Sequence, residues 1–463
     1  MTHTTPIPSE SLAPLRSQLD GTLALPGDEA YVAATSIWNG MIRKRPSAVI
    51  RPASVADITR SVRFAADGGL ELSIRGGGHN IAGLALSDGG LTLDMSAFKE
   101  VSVDPERRIA HVGAGCLLGD VDRATLAHGL AAPFGFVSLT GVAGLTLGGG
   151  FGYLTRRFGW TVDCLREVEI VMADGSVARV SGSDEPELFW ALRGGGGNFG
   201  VVTTFTFDLH EVDPQITGGL MAWSADNAET VIDAFRATTE RASRNLTLAA
   251  IRRNAPPAPW LPDSAHGKPI VMVVACHSGT EEEATADLAE LRSAGTPLAD
   301  LIVRKEYVAQ QALIDATQPP GMQYYWKSEF LPGLSDGLVE AYHAQFAGMQ
   351  APANQMVLFH VAGAVNDRAD DDGAVANRDA AFACVIQSMT PAGAATDANR
   401  AWVRSAWEAV RPFSTGGNYV NFQTDDEPDT RTAESYGVNY ERLRAAKRRY
   451  DPDNVFRVNR NIR

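Results

Sequence analysis

Cysteine is scarce in this 463-residue chain: Cys116, Cys164, Cys276 and Cys384 lie far apart, and no CxxC pair or Cys/His ligand spacing occurs. That excludes a disulfide framework or a zinc knot as the source of stability; buried reduced thiols and no metal site are expected. No apolar run reaches the ~18 residues of a membrane-spanning helix. The opening MTHTTPIPSESLAPLRSQLDG has neither a basic leader nor an apolar stretch, so no secretion signal and no membrane partner are expected, and a cytoplasmic location follows. No extended basic surface is evident either. The formal net charge is −14, and a nucleic-acid partner, which needs a cationic surface to displace counterions, is excluded. The longest acidic run, Asp370-Asp371-Asp372, is too short to be a tail, and the acidity reads as solubility. There is no GxxxxGK[ST] phosphate loop, internal repeat or low-complexity linker.

Glycine is the residue in excess: 45 of them, clustered at 76–78, 148–150 and 194–197. Bare residues in a row give up side-chain packing and raise the entropy lost on ordering, so each cluster marks a place that needs exposed backbone. A tight turn is the plain reading of any one of them. A turn can also aim successive N–H groups into a concave nest for an anion, phosphate above all. Gly195-x-Gly197-x-x-Gly200 has the spacing of the dinucleotide fingerprint, but a helical stretch precedes it and a strand follows, the reverse of a Rossmann site. Glycine segments converging from distant parts of one domain point instead to an elongated phosphate-bearing ligand laid across backbone.

At ~100–200 residues per domain, the length predicts two or three units. SAVIRPASVADITRSVRFAADGGLELSIRGGGHN reads as a short strand, a helix capped at Ser54 with Asp57 three residues on, and a strand over 70–75 that ends at the glycine run. A helix over 118–128, a hairpin at Asp174-Gly175 and the alternating FGVVTTFTFDLHEV complete an α+β unit over 1–213. From 214 the glycine clusters stop. Apolar strands such as LTLAAIR, IVMVVAC, QYYWKSEFL, QMVLFHVAGAV and FACVIQS alternate with amphipathic helices, which predicts a second, sheet-plus-helix domain over 214–412. Residues 413–463, with STGGNYVNF and the helix NYERLRAAKRRY, are expected to return to the first domain.

The ordered segments RGGGHN, HVGAGCLLGDV, GVAGLTLGGGFGYLTRRFGWTVDCL, ALRGGGGNFGVVTTFTF and NYERLRAAKRRYDPDNVFRVNRNI resemble the FAD-linked oxidases of the berberine-bridge-enzyme group, in the vanillyl-alcohol-oxidase superfamily. The likeness spans nearly the whole chain and is loosest in 214–412. It implies an α+β fold: a PCMH-type FAD-binding domain beside a substrate domain built on an antiparallel sheet covered by helices. It further implies that Arg75, Gly76, Gly77 and Gly78 wrap the FAD pyrophosphate and that His79, followed by Asn80, bonds covalently to the flavin 8α-methyl carbon. Relatives with a second tether carry a cysteine where this chain has Val137, so FAD held through His79 only, the monocovalent branch, is expected. Ser138, Thr140, Gly141, Gly144, Gly148 and Gly149 would line the flavin, with Thr140 small enough to admit O2. Val201 would touch the adenine, Tyr419 and Asn421 would lie near the isoalloxazine, and Asn459 matches a cofactor-binding position of the flavin domain close to the end of the chain.

A flavin oxidase needs a group to manage the proton that leaves with the substrate's electrons. Strand periodicity puts Tyr325, Lys327 and Glu329 on one face of QYYWKSEF and Tyr324, Trp326 and Ser328 on the other, and only one set can meet a pocket. Tyr325, His360 in VLFHVAGAV, Asp367 in AGAVND and Tyr419 are the candidate catalytic residues. The function these imply is an oxidase that dehydrogenates a small alcohol, amine or phenolic substrate and passes electrons to O2. A dehydrogenase using another electron acceptor, an oxygenase working through a flavin–oxygen adduct, and a flavin-binding protein without turnover stand as rivals.

Overall fold

Helix Val55–Asp67 begins where the sequence supplies its cap: Ser54 Oγ accepts the Asp57 N–H at 3.3 Å. Ile58, Ser61, Val62 and Ala65 then recur at helical spacing along its buried face. This helix covers the first of three main sheets in the computed structural model, which describes residues 6–346, 349 and 354–463. That sheet has the order β1-β2-β4-β3, from β1 (Thr22–Ala24), β2 (Ala48–Arg51), β3 (Leu72–Arg75) and β4 (Leu91–Asp94). The pairs β2–β4 and β3–β4 are parallel. A second, antiparallel sheet has the order β5-β6-β9-β7-β8, from β5 (Val101–Asp104), β6 (Ile109–Gly113), β7 (Leu165–Val171), β8 (Val177–Ser181) and β9 (Val201–Asp208).

One apolar core joins the two sheets, with Ile50, Val62, Leu93, Val112, Ile170 and Phe205 all buried in it. The end of the chain enters the same core through Val420, Tyr436, Leu443, Val455, Phe456 and Ile462. Thus the last segment packs against the first unit, across the intervening residues.

The third sheet has eight strands, all antiparallel where paired. Its central order is β10-β12-β11-β15-β16-β14, from β10 (Gln215–Ser224), β11 (Leu246–Asn254), β12 (Pro269–His277), β14 (Gln323–Leu331), β15 (Gln355–His360) and β16 (Phe382–Thr390). The short β13 (Val303–Glu306) and the strand Ala299–Asp300 flank β10 at its outer edge. Successive side chains alternate faces. Trp223, Leu248, Ala250, Val273, Met356, Leu358 and Cys384 pack under helices Ala228–Arg241, Asp336–Ala344 and Asp397–Val410, while Leu220, Ala249, Met272, Val274, Val357 and Val385 form the opposite face. Both faces are largely apolar because both are covered, one by helices and one by the first unit.

The segment between residues 311 and 324 ties the units together. Gln311 Nε2 donates to the Gly135 carbonyl at 2.6 Å, the Ser138 N–H donates to Asp315 at 2.9 Å, and Trp38 Nε1 donates to the Gln318 carbonyl at 3.0 Å. Asn39 exchanges two bonds of 3.1 Å with the Tyr324 backbone. No helix among the described residues is long and apolar enough to cross a membrane.

Candidate active site

Between the helix-free face of the large sheet and the first unit lies a cavity of ≈ 560 Å³, within the ~300–1,000 Å³ typical of ligand sites. Its floor is built where β3 ends. After Arg75 the chain turns through Gly76, Gly77 and Gly78, the last with φ +69°. Gly77 is glycine because two backbones cross there: a Cβ on it would lie 2.4 Å from the Gly141 nitrogen, and one on Gly141 would lie 2.3 Å from the Gly77 nitrogen. Gly144 has a different reason. A Cβ there would meet no protein atom within 4 Å, because the residue faces the cavity.

None of the backbone N–H groups from Gly76 to Asn80 donates to another described protein atom. Successive unpaired amides call for acceptor oxygens from outside the protein. Asn459 lines the same cavity; its Nδ2 donates to the Gly197 carbonyl at 3.0 Å, and its buried Oδ1 has no partner. The free amides, the side-chain-free walls at Gly144 and Gly197, and the orphaned Asn459 oxygen fit an extended, phosphate-bearing ligand.

His79 projects into this space. Its ring lies 5.5 Å from that of Trp38 at 14°, and neither nitrogen bonds to a described residue. Burial lowers its pKa to about 4, opposed by the Asp315 carboxylate and assisted by Arg75, so the imidazole is neutral at ordinary pH. Across the cavity stands the Tyr419 hydroxyl, which accepts from the Gly150 N–H at 3.0 Å and from Asn421 Nδ2 at 2.9 Å. Burial pushes its pKa up to about 12 although both donors pull the other way. It is therefore a phenol whose acceptor positions are used and whose proton is free to donate. Phe151 and Phe422 pack edge-on against it at 5.0 and 4.9 Å.

Of the residues the sequence selects, Gly76, Gly77, Gly78, His79, Asn80, Val137, Thr140, Gly141, Gly144, Tyr419, Asn421 and Asn459 line the cavity. The others do not. Arg75 bonds to Asp94 at 2.7 Å, bracing the end of β3, and Ser138 Oγ donates to Asp315. Gly148 lies beneath Asn421, where a Cβ would come within 2.3 Å of Nδ2, and Gly149 adopts φ +116° in the turn that follows. Val201 is buried in the core of the first unit.

Three of the four catalytic candidates sit elsewhere, for physical reasons the strand text does not carry. Tyr325 faces the helices, where its hydroxyl donates to Asp426 at 2.8 Å and accepts from Arg404 at 2.9 Å. Lys327 and Glu329 share that face and are committed to Asp426 and Arg431, at 2.9 and 2.8 Å. His360 follows Met356 and Leu358 onto the helical face and stacks on Phe382 at 5.1 Å. Asp367 is an exposed ion-pair partner of Arg244 at 2.8 Å. The strand β14 instead turns Trp326 to the cavity, and the sheet contributes Arg253, Gln355, Val357, Phe359 and Gln387, none of them selected from sequence. Their signal was the period-two alternation, but it assigns no face until the covering helices are known.

Residues 46–181 match the family model described as FAD binding domain, and residues 418–463 match that described as berberine and berberine like. The chain is 30% identical over 465 residues to (R)-6-hydroxynicotine oxidase of Paenarthrobacter nicotinovorans, covering 96% of this chain and 97% of that one. A crystal structure of 6-hydroxy-D-nicotine oxidase from Arthrobacter nicotinovorans has a TM-score of 0.84 at 28% identity, covering 97% of this chain and 99% of that one. A berberine-bridge-enzyme-like protein from Physcomitrella patens shares the fold, with a TM-score of 0.85 at 24% identity over 96% of this chain and 97% of its own.

Proposed function

The chain belongs to the FAD-linked oxidoreductases of the berberine-like family, and from that premise we propose that it is an oxidase carrying FAD on His79 alone and acting on a small organic substrate with O2 as acceptor. The observation that carries this reading is the neutral, unbonded His79 imidazole beside a run of free backbone amides in one cavity. The amides from Gly76 to Asn80 would hold the pyrophosphate, and His79 would supply an uncharged ring nitrogen for the bond to the 8α-methyl carbon. A single tether is supported by Val137 on the cavity wall and by the four cysteines, which are all buried and none of which lines the cavity.

When bound, FAD supplies a two-electron acceptor that passes the substrate's electrons to O2, giving hydrogen peroxide. The chain's own part is to bind and orient the substrate and to keep water from the reacting end. The titratable side chains lining the cavity are His79, Tyr153, Tyr419, Tyr436, Arg253 and Arg460, with no carboxylate among the described residues. Tyr419 thus orients the substrate heteroatom by donating a hydrogen bond from its hydroxyl, and the Gly150 and Asn421 donors, by occupying its oxygen, fix the direction of that O–H. Phe136, Phe151, Phe359 and Phe422 keep water from that end. Thr140, small and on the wall, leaves room for O2.

The test is direct. Purified protein should be yellow, keep its colour through acid precipitation, bleach anaerobically with a substrate from a panel of alcohols, amines and phenols, and recover in air with release of peroxide. His79→Ala should release its flavin on precipitation. Flavin that washes out of the unmutated protein would end the tether, and slow recovery in air would favour a dehydrogenase.

A further inference from the structure

Among the described residues Arg253 is the one guanidinium on the sheet face of the cavity, and it lacks the partners this protein gives Arg378, Arg431 and Arg156. Arg378 is paired with Asp163 at 2.7 Å, Arg431 with Glu329 at 2.8 Å, and Arg156 is spent on backbone carbonyls, among them Ala362 at 2.7 Å. Arg253 has no carboxylate partner. Its bonds within the described residues are Nε to the carbonyl of its own neighbour Asn254 at 3.2 Å and Nη1 to Gln355 Oε1 at a long 3.4 Å, while Nη2 has none. Burial alone lowers its pKa, and an arginine so placed stays charged.

The strand register sets Arg253 in a polar rung. It pairs with Gln355, which pairs with Gln387, which pairs with Trp326. Gln355 Nε2 donates to Gln387 Oε1 at 3.2 Å, and Gln387 Nε2 donates to Gln318 Oε1 at 3.0 Å. A guanidinium can only donate, so it turns the Gln355 oxygen toward itself, and every later amide oxygen in the chain is used in turn. The rung therefore keeps unspent donors for a ligand: Nη2 and the second N–H of each amide. The next rung inward is apolar, Ile251, Val357 and Val385, and the one beyond holds Phe359, which packs edge-on against Phe151 at 5.9 Å as Tyr419 does at 5.0 Å. At ~3.4 Å of strand per residue, the four residues from Arg253 to Ala249 put roughly 13 Å between the cationic and the Tyr419 ends.

We propose that this rung receives a carboxylate of the substrate, so that the enzyme acts on small organic acids: an apolar, flat body between a carboxylate at Arg253 and an oxidisable hydroxyl-bearing carbon at Tyr419. The inference rests on the oxidase reading and narrows it. An unpaired guanidinium repels an ammonium, which favours an alcohol or phenol over an amine, and a planar fork matches a carboxylate in shape as well as charge. The cofactor does not account for Arg253, because the free amides, Gly144, Gly197 and Asn459 all belong to the first unit while Arg253 stands on the sheet of the second.

The experiment compares 4-(hydroxymethyl)benzoate, 4-(hydroxymethyl)benzamide and 4-(hydroxymethyl)benzylamine as ligands of the FAD-loaded protein under anaerobic conditions. Binding is read from flavin absorbance and from the fluorescence of the lining tryptophans. The acid should bind roughly 10- to 100-fold tighter than the amide, the worth of one charge-assisted contact, and the amine weakest. Arg253→Gln should erase the preference with flavin content unchanged, and Arg253→Lys should keep part of it. Equal binding of acid and amide, no measurable binding of the acid, a preference that survives Arg253→Gln, or loss of FAD from that variant would each overturn the proposal. The preference of the unmutated protein needs no variant to fold. Flavin content, measured before ligand is added, separates the two levels: protein without FAD sinks the oxidase reading, whereas loaded protein that does not discriminate sinks only this inference.

Discussion

On the proposed tether the His79 imidazole would attack only with its ring nitrogen free of a proton, and burial keeps it so. With a folded pKa of about 4 against ~6.5 for an exposed imidazole, the ring stays neutral as pH falls through 6.5 and is protonated only near 4. Covalent incorporation of added FAD into FAD-free protein is therefore expected to run at a constant rate from pH 8 to about 5.5 and to decline below that; a rate halved near the free-imidazole value would show that burial does not protect the ring. Tyr419 makes a complementary prediction. Tyr419→Phe removes the proton donor and strands the Gly150 and Asn421 donors. Anaerobic bleaching by substrate should slow on the order of 100-fold with flavin content unchanged, and an unaltered rate would remove the hydroxyl from the chemistry. His79 and Tyr419 were legible in the sequence because their neighbouring residues form motifs. Tyr325, His360 and Asp367 were chosen from strand alternation, an apolar strand's interruption and a weak match to a family position, and their side chains turned out to be engaged by Asp426, Phe382 and Arg244.

Among the elements, the turn after β3 and the helix Val142–Leu147 use glycine for opposite ends. Gly77→Ala would push a methyl to 2.4 Å from the Gly141 nitrogen. It should destabilise the fold by on the order of 2 kcal/mol or more, seen as a lower melting temperature even without FAD. Gly144→Leu adds a side chain where no protein atom lies within 4 Å. It should leave the melting of FAD-free protein unchanged and abolish most flavin retention. A normal flavin content in Gly144→Leu would mean that this wall does not face the cofactor. The two glycines look alike in sequence. Which one meets backbone and which one meets ligand depends on a contact between residues 77 and 141, far apart along the chain.

The whole molecule places its cavity between two cores, so any occupant bridges them. FAD-loaded protein should melt several degrees above FAD-free His79→Ala, because a ligand bound only by the folded state stabilises it by mass action. A melting curve indifferent to flavin would argue that the cavity walls do not share the load. The sequence by itself determined the local elements and the family: the Ser54 cap, the apolar strands, the glycine turn with its histidine, and the FAD-linked membership. These depend on caps, periods and motifs a few residues long, which a linear text preserves. Only the tertiary structure decided the substrate side. A strand alternates its side chains whichever face is covered, so residues 324–329 and 355–360 admit two readings until the helices Asp336–Ala344 and Asp397–Val410 take one face. Pairing across β11, β15, β16 and β14 then assembles Arg253, Gln355, Gln387 and Trp326, more than 130 residues apart at the extremes, into one polar rung that no local pattern announces.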